Sequence, residues 1–325
     1  MPNQDDVTKL AITVASSFAL AFVIYNIVLS FRESGLYSPD LRRKRKKSTS
    51  QDALVHLLRA LDEDEIDKSS LVYILSRLVD LAAFSEVQEK INQLGYLQKI
   101  SNTLNYPDQD VKIQASLLIN NLSLNEKNQA TLKECIPVLV SIIKSNVMNE
   151  SSVSLFAAVL NALTNLTTLN DSHQDILKHI HVLCELLQEC DVVQIKVQVL
   201  KVLVNLSTND KLCENMLELD AQLLHSVEPF ISPEVEEKFL LRAVSCCANV
   251  LTSLHRRWQY GKQPCVATPE FVNEKLRENL VRLTSHESQD IRLQAGRSLL
   301  ALRTPVQGKL ENSLDEIDIL EVLKI

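Results

Sequence analysis

Asparagine recurs at regular intervals along the chain, at positions whose side-chain amides could bind the backbone of another protein. Asn121, Asn165, Asn205 and Asn249 align when the segments around them are superimposed, and Asp80 takes the same place in an earlier segment. The successive separations are 41, 44, 40 and 44 residues. An amide carries a hydrogen-bond donor and an acceptor, as a peptide unit does, so a row of amides suits an extended protein segment. The alternative is that each Asn bonds to the helix ends of a neighbouring repeat.

The residues four and seven positions before each Asn would share its face of a helix. Most of them are polar; they are Gln114 and Leu117, Ala158 and Asn161, Gln198 and Lys201, and Arg242 and Ser245. We call the registered residue of each long helix, together with the positions four and seven before it, the asparagine row. The predicted partner-binding members are Asn121, Asn165, Asn205, Asn249, Gln114, Asn161, Gln198, Lys201 and Arg242.

The sequence contains no recognisable catalytic motif. It has no Gly-rich phosphate loop, no G-x-S-x-G elbow and no HExxH, and only 5 Gly in all. His181 and Cys184 lie one helical turn apart and could form half of a zinc site, but no second pair is spaced to complete it. We therefore expect no enzymatic activity, no cofactor and no metal.

Charge and cysteine usage narrow the class of protein further. Residues 48–325 contain 26 basic and 37 acidic side chains, a net charge of −11, which repels phosphate backbones and argues against nucleic acid as a partner. The seven cysteines show no CxxC spacing and mostly occupy apolar helical positions. We expect them to be reduced thiols of a protein in a reducing compartment.

Long amphipathic segments with few Gly or Pro between them predict an all-α fold. Each registered Asn comes at the end of a long helix, with a shorter helix predicted before that helix, at 94–104, 135–145 and 181–190, and a third short helix after the Asn. The residue directly after each Asn should lie in the core; these residues are Leu122, Leu166, Leu206 and Val250.

A sixth long segment places Ala301 in the same register after a gap of 52 residues, which predicts an insertion between the last two repeats. We place this insertion loop at about residues 255–269. Its aromatic and basic residues Arg256, Arg257, Trp258 and Tyr260 are candidates for partner binding. Trp258 could instead be a packing residue.

An uncharged segment of 22 residues, Leu10–Phe31, lies near the start of the chain. As a helix it would be about 33 Å long, at about 1.5 Å per residue, which is enough to span a bilayer. A cleaved signal peptide is the alternative, since Ala19-Leu20-Ala21 resembles a cleavage site, but Asp5 and Asp6 precede the segment.

A basic run follows this segment and predicts its orientation. The run comprises Arg42, Arg43, Lys44, Arg45, Lys46 and Lys47. By the positive-inside rule it places the C-terminal domain in the cytosol. A moderately apolar span with a basic flank is typical of signal anchors of the mitochondrial outer membrane, and the endoplasmic reticulum is the alternative. The same cations could contact anionic lipid headgroups.

The last residues, 311–325, form a second amphipathic segment. Ser313 and Glu316 form a capping box, and apolar residues follow at helical spacing. We interpret the segment as a helix that caps the end of the repeat array; an acidic docking helix is the alternative.

A period of 40 to 44 residues, three helices per repeat and the motif x-N-L-[ST] resemble the armadillo repeat rather than the HEAT repeat. The resemblance covers most of residues 51–310 and implies a right-handed α-solenoid of about six repeats. In armadillo proteins the equivalent Asn lines a concave groove and its amide holds an extended partner. Nuclear-import members need Trp four residues before the Asn. This chain has Leu117, Asn161, Lys201 and Ser245 there, which argues against that function.

An N-terminal anchor, a basic flank and the NNLS, TNLT and VNLS series together resemble the Armcx family and its autosomal armadillo-repeat-containing relatives. The short connection between anchor and repeats favours the autosomal relatives. The resemblance implies a protein of the mitochondrial outer membrane that faces the cytosol, influences mitochondrial distribution and dynamics, and works with the Miro and Trak transport machinery.

The sequence thus predicts a short N-terminal segment (1–9), a transmembrane anchor that contacts lipid (10–31), a basic linker (32–50), a repeat domain (51–310) and a C-terminal capping helix (311–325). Its expected function is that of a membrane-tethered scaffold that binds proteins. The alternative is a membrane-shaping or organelle-linking protein that acts by self-association of its repeats, as a homo-oligomer.

Overall fold

The computed structural model describes residues 47–302, apart from residues 64, 147, 170–171, 210–216 and 260–271. Within these ranges the chain forms helices and no strand, which confirms the predicted all-α class. The predicted anchor at 10–31, the basic residues 42–46 and the segment 311–325 lie outside the described residues. No helix in the described ranges has the length and the hydropathy that a bilayer span requires.

From Lys68 to Ser207, two shorter helices separate each long helix from the next. The described helices are α1 (Lys47–Ala60), α2 (Lys68–Leu81), α3 (Ser85–Gln93), α4 (Leu97–Asn102), α5 (Gln109–Leu122), α6 (Glu126–Leu132), α7 (Ile136–Ser145), α8 (Val153–Leu166), α9 (His173–Leu177), α10 (Ile180–Glu189), α11 (Val193–Ser207), α12 (Leu217–Val227), α13 (Glu237–Gln259), α14 (Glu274–Leu283) and α15 (Gln289–Leu302). Up to α11, every third helix, beginning with α2, ends at or just after a registered residue, as the sequence predicts.

Contacts divide the chain between Ser172 and His173 into two compact units. In the first unit α2 packs against α5, and α5 packs against α8. In the second unit α11 packs against α13, and α13 packs against α15. Within each unit, these long helices therefore pack against the long helix of the next repeat, because one repeat alone has no partner for its apolar side.

The starts of two long helices in the first unit, α2 and α5, are encoded locally. Asp67 caps α2, its Oδ1 accepting the backbone N–H of Ser69 at 2.9 Å. Asp108 caps α5 in the same way, accepting the N–H of Asp110 at 2.9 Å. Lys68 Nζ lies 2.7 Å from the Asp108 carboxylate, so the two capped helix ends are also joined by an ion pair.

The residues directly after the registered asparagines are buried, which confirms the predicted core positions. Leu122, Leu166 and Val250 are fully buried, and Leu206 is nearly so. They lie on the side of the long helix that faces the neighbouring helices of the repeat.

A glutamine stabilises the turn after the long helix in two successive repeats. Gln88 Nε2 donates to the carbonyl of Ala82 at 2.9 Å, and Gln129 Nε2 donates to the carbonyl of Ser123 at 2.8 Å. Both glutamines are buried and lie eight positions after the registered residue. They satisfy helix-end carbonyls that would otherwise be buried without a donor.

Helix α13 continues to Gln259, so residues 255–259 belong to a helix. This corrects the predicted start of the insertion loop at about residue 255 and places Arg256, Arg257 and Trp258 in the last turns of α13. The helix continues because the sequence has no Gly or Pro between Pro233 and Gly261. Similarly, α1 begins at Lys47, within the predicted linker.

Candidate functional site

The asparagine row lies along the long helices, and its asparagines are largely buried. Asn121, Asn165 and Asn205 are buried and Asn249 is half-buried. In the first unit Asn121 Nδ2 donates to the carbonyl of Val79, on the preceding long helix, at 3.1 Å. The amide of this residue therefore joins successive repeats, which is the geometry of the structural alternative considered from the sequence.

Asn165 also contacts the preceding long helix, with two hydrogen bonds that are shorter than the one from Asn121. Its Nδ2 donates to the backbone carbonyl of Asn120 at 2.9 Å and to the side-chain Oδ1 of Asn120 at 3.0 Å. Asn120 Nδ2 in turn donates to Asn121 Oδ1 at 3.1 Å. A continuous line of amides thus connects α2, α5 and α8.

Sequence reasoning missed Asn120 as part of this line. Its signal is the doubled asparagine of NNLS, where TNLT and VNLS have a single one. Because Asn120 precedes the registered position by one residue, helical spacing alone does not place it in the asparagine row.

In the second unit Asn249 contacts side chains of both neighbouring long helices. Asn249 Nδ2 donates to Ser207 Oγ, on the preceding long helix, at 3.1 Å, and Asn249 Oδ1 accepts from Arg297 Nη2, on the following one, at 3.3 Å. Arg297 Nη1 also donates to Gln294 Oε1 at 2.6 Å. Arg297 was not predicted from the sequence, although it lies four positions before the registered Ala301.

The positions before the asparagines present buried polar atoms. Asn161, in the first unit, is 8% exposed, and among the described residues its Oδ1 has no hydrogen-bond donor. Gln198, in the second unit, is 5% exposed, and the same holds for its Oε1. A buried acceptor without a donor costs free energy. Each of these two oxygens could therefore accept a hydrogen bond from a bound backbone N–H.

The remaining predicted members differ in exposure. Gln114 and Leu117 are half-buried, so they are the accessible part of the row on α5. Lys201 is 1% exposed and Arg242 is 5% exposed. Arg242 Nη1 donates to the carbonyl of Lys238 at 2.5 Å, a contact within its own helix.

The predicted insertion-loop candidates are only partly described. Arg256 is half-buried at the end of α13. Arg257 and Trp258 are helical residues whose side chains are not described, and Tyr260 lies outside the described residues.

The considered half-site for zinc does not assemble. His181 is exposed on α10 whereas Cys184 is buried. Burial raises the pKa of the Cys184 thiol, which disfavours the thiolate that binds zinc. Within the described ranges no three His, Cys, Asp or Glu residues lie close enough together to hold a metal ion.

Solved structures with a similar fold include designed armadillo repeat proteins. The designed armadillo repeat protein YIII(Dq)4CqI is 18% identical, with a TM-score of 0.61 over 77% of this chain and 99% of its own. YIII(Dq.V1)4CPAF, solved in complex with the peptide (KR)4, is 18% identical, with a TM-score of 0.60 over 76% and 98%. A structure of computationally designed armadillo repeat proteins for modular peptide recognition is 18% identical, with a TM-score of 0.59 over 76% of this chain and 99% of its own. These likenesses support the fold.

A family model described as armadillo-like matches residues 48–271. This range includes five of the six long helices and the asparagines of the row. The predicted armadillo repeat is thereby confirmed, and the chain belongs to the armadillo-like family.

Proposed function

We propose that the chain is a membrane-tethered scaffold of the mitochondrial outer membrane, whose asparagine row binds extended segments of other proteins on the cytosolic side. Through this binding it influences mitochondrial distribution, transport or dynamics. The observation that carries the binding role is the pair of buried amide oxygens, Asn161 Oδ1 and Gln198 Oε1, that accept no hydrogen bond among the described residues.

The registered positions of the row join repeats, and the positions four and seven residues before them contact the partner. Asn121 and Asn165 use their amide hydrogens to join repeats, which leaves partner contact to the positions four and seven residues before. Gln114, Asn161 and Gln198 supply amides there. Amides recognise backbone rather than a particular side chain, so this division favours segments bound in an extended conformation.

The similar designed proteins support the same type of ligand. One of them was solved with a (KR)4 peptide, and others were designed for modular peptide recognition. From these proteins we infer the class of ligand, a peptide segment, but not the sequence of that segment. The acidic charge of residues 48–325 and the cations of the row in the second unit indicate that the preferred segment differs along the chain.

The tether rests on the sequence. Leu10–Phe31 is uncharged and is followed by the basic run that ends at Lys47, which favours insertion with the C-terminal domain in the cytosol. The resemblance to the Armcx family and its autosomal relatives points to the mitochondrial outer membrane and to Miro and Trak proteins as first candidates for partners.

Localisation is tested with the full-length chain carrying a C-terminal tag, compared with a chain that lacks residues 1–47. The full-length chain should resist alkaline extraction from mitochondria, and its tag should be digested by protease added to intact mitochondria. The shortened chain should lose the mitochondrial signal. A reticular signal that follows the endoplasmic reticulum, or a tag protected from protease, would refute the placement.

Partner binding is tested by measuring the affinity of the purified full-length chain for Miro and Trak proteins. Asn161→Ala and Gln198→Ala should weaken binding while the thermal unfolding midpoint stays close to that of the original chain. Asn105→Ala and Gln188→Ala are matched controls, because both residues are exposed and outside the row. Equal affinities for all variants would contradict the row as the binding site, and a stable self-complex without other ligands would favour the self-association alternative.

A further inference from the structure

The asparagine row of the first unit presents two accessible apolar side chains on successive long helices. Tyr73, seven positions before Asp80 on α2, is 63% exposed. Leu117, four positions before Asn121 on α5, is half-buried. Helix α2 packs against α5, and Asn121 joins the two helices at the registered position. Tyr73 and Leu117 therefore lie on the same side of the unit, where a partner is expected to bind.

The next long helix, α8, carries small side chains on this side. The positions eight and eleven before Asn165 are Ala157, which is half-buried, and Ser154, which is exposed. Small side chains let the backbone of a partner approach α8 closely. Asn161 on the same helix is 8% exposed, and its Oδ1 has no hydrogen-bond donor among the described residues. The arrangement suits a partner whose backbone N–H reaches α8 and whose side chains reach α5 and α2.

Charge is nearly absent from this part of the row. Of its nine positions on α2, α5 and α8, only the registered Asp80 is charged, and its carboxylate lies 2.8 Å from Arg77 Nη1 on the same helix. The next charge on this face of α5 is Asp110, whose carboxylate lies 3.1 Å from Lys68 Nζ. A charged partner side chain placed on Leu117 would therefore lose hydration without gaining an unpaired counter-ion. An apolar side chain gains from burial at the same place.

The spacing of the two apolar side chains suits an extended segment. Such a segment places alternate side chains on the same side, about 7 Å apart. The axes of packed helices lie about 8–10 Å apart, and both Tyr73 and Leu117 have side chains long enough to lean toward a bound chain. Two apolar residues separated by one other residue can therefore contact Tyr73 and Leu117 together.

We propose that the first unit selects extended segments with apolar side chains at two alternate positions, one against Leu117 and one against Tyr73, and rejects segments that are charged there. The selection rests on the peptide-binding part of the proposed function. It assigns the choice of side chain to α2 and α5, and the contact with the backbone to Asn161 on α8.

Peptide binding to the purified full-length chain tests the selection. The probe is a fluorescent eight-residue peptide of Ser and Thr whose third and fifth residues are both Leu. Otherwise identical peptides carry Lys or Glu at these two positions, and (KR)4 is the fourth peptide. Fluorescence anisotropy should show the Leu peptide binding at least tenfold more tightly than the other three. Tighter binding of the Lys peptide or of (KR)4 would overturn the proposal.

Two substitutions with matched controls locate the site. Leu117→Lys should weaken binding of the Leu peptide at least tenfold, whereas Leu94→Lys, at a 38% exposed leucine of the same unit outside the row, should leave it unchanged. Tyr73→Ala should weaken binding several-fold, and Phe84→Ala, at a 53% exposed aromatic outside the row, should not. If neither Leu117→Lys nor Tyr73→Ala changes the affinity, the peptide binds elsewhere and the proposal is wrong.

A change of specificity gives a readout that loss of folding cannot imitate. Leu117→Glu places a carboxylate where the leucine was, so this variant should bind the Lys peptide more tightly than the original chain does and the Leu peptide less tightly. The thermal unfolding midpoint shows that the variant is folded. A folded variant that keeps the original order of affinities would contradict the contact with Leu117.

The result for this selection can be separated from the result for the proposed function. If no peptide of the set binds, but whole partner proteins bind and Asn161→Ala weakens that binding, the selection is wrong and the proposed function stands. If the Leu peptide binds at Leu117 but Miro and Trak proteins do not bind, the selection stands and the partners named in the proposed function are wrong.

Discussion

Asn165 Nδ2 donates to two oxygens of Asn120, the backbone carbonyl at 2.9 Å and the side-chain Oδ1 at 3.0 Å. The two residues lie on successive long helices, α8 and α5. The contact therefore joins two successive repeats directly, between residues that are 45 positions apart in the sequence.

Asn165→Ala should destabilise the protein by about 1–3 kcal/mol, because two buried oxygens of Asn120 lose the hydrogen bonds that Asn165 Nδ2 donates to them. The measurement is the urea midpoint of unfolding of the original and changed chains. Asn105→Ala, on an exposed position, is the control and should leave the midpoint nearly unchanged. An unchanged midpoint for Asn165→Ala would show that the inter-repeat contact contributes nothing to stability.

Leu166→Ala should cost about 2–4 kcal/mol, because the side chain is fully buried and its removal leaves a cavity. Thermal and urea unfolding both report this loss. Leu300→Ala provides the comparison on another long helix, since Leu300 is 37% exposed, and it should cost clearly less. Similar losses for the two changes would argue against a core centred on the residues after the registered position.

Asp62 should titrate below its ordinary range in the folded protein. Lys99 Nζ lies 2.8 Å from Asp62 Oδ1, and Tyr96 Oη donates to Asp62 Oδ2 at 2.6 Å. These hydrogen bonds, that from Lys99 foremost, lower the pKa of the Asp62 carboxyl below 3.8. The contribution of Asp62 to stability is therefore complete above pH 3.8 and is lost as the pH falls below that value through the lowered pKa.

Nuclear magnetic resonance titration of the Asp62 carboxyl carbon measures this shift. Lys99→Gln should raise the pKa of Asp62 toward 3.8, and Tyr96→Phe should raise it by a smaller amount. Lys144→Gln, at an exposed position elsewhere in the first unit, should have no effect. A pKa that Lys99→Gln leaves in place would show that the ion pair does not form in solution.

Cys135 and Cys247 should be unreactive in the native protein. Burial raises the pKa of both thiols to about 12, and Cys135 Sγ also donates to the carbonyl of Leu132 at 2.8 Å. Since the thiolate is the nucleophile, iodoacetamide at about pH 8 should modify neither residue until urea unfolds the chain. Peptide mass spectrometry before and after unfolding checks this, and rapid native modification of either residue would contradict its burial.

Periodicity predicts the long helices well because the same local pattern recurs in each repeat. A helix with one apolar side and a registered Asn near its end can be recognised from spacing alone. The end of α13 was less predictable. The sequence shows a gap in the register before Ala301, but the helix continues through residues 255–259 because nothing in them stops it.

The partners of the row were not predictable in the same way. Spacing places Asn165 on a face of α8, yet it does not show that its Nδ2 donates to two oxygens of Asn120. Arg297 is similar, because α15 has Ala301 where the other long helices have Asn, and only the contact with Asn249 Oδ1 places the guanidinium beside the row.

From the sequence alone come the all-α class, the period of the repeats, the core residues after each registered position and the candidate row. These follow because helical periodicity and amphipathic spacing are properties of short stretches of chain. The tertiary structure decided which atoms of the row are engaged between repeats and which remain as acceptors. That distinction depends on the register between helices some 40 residues apart, where a shift of one residue exchanges one amide's partner for another, and no local pattern encodes it.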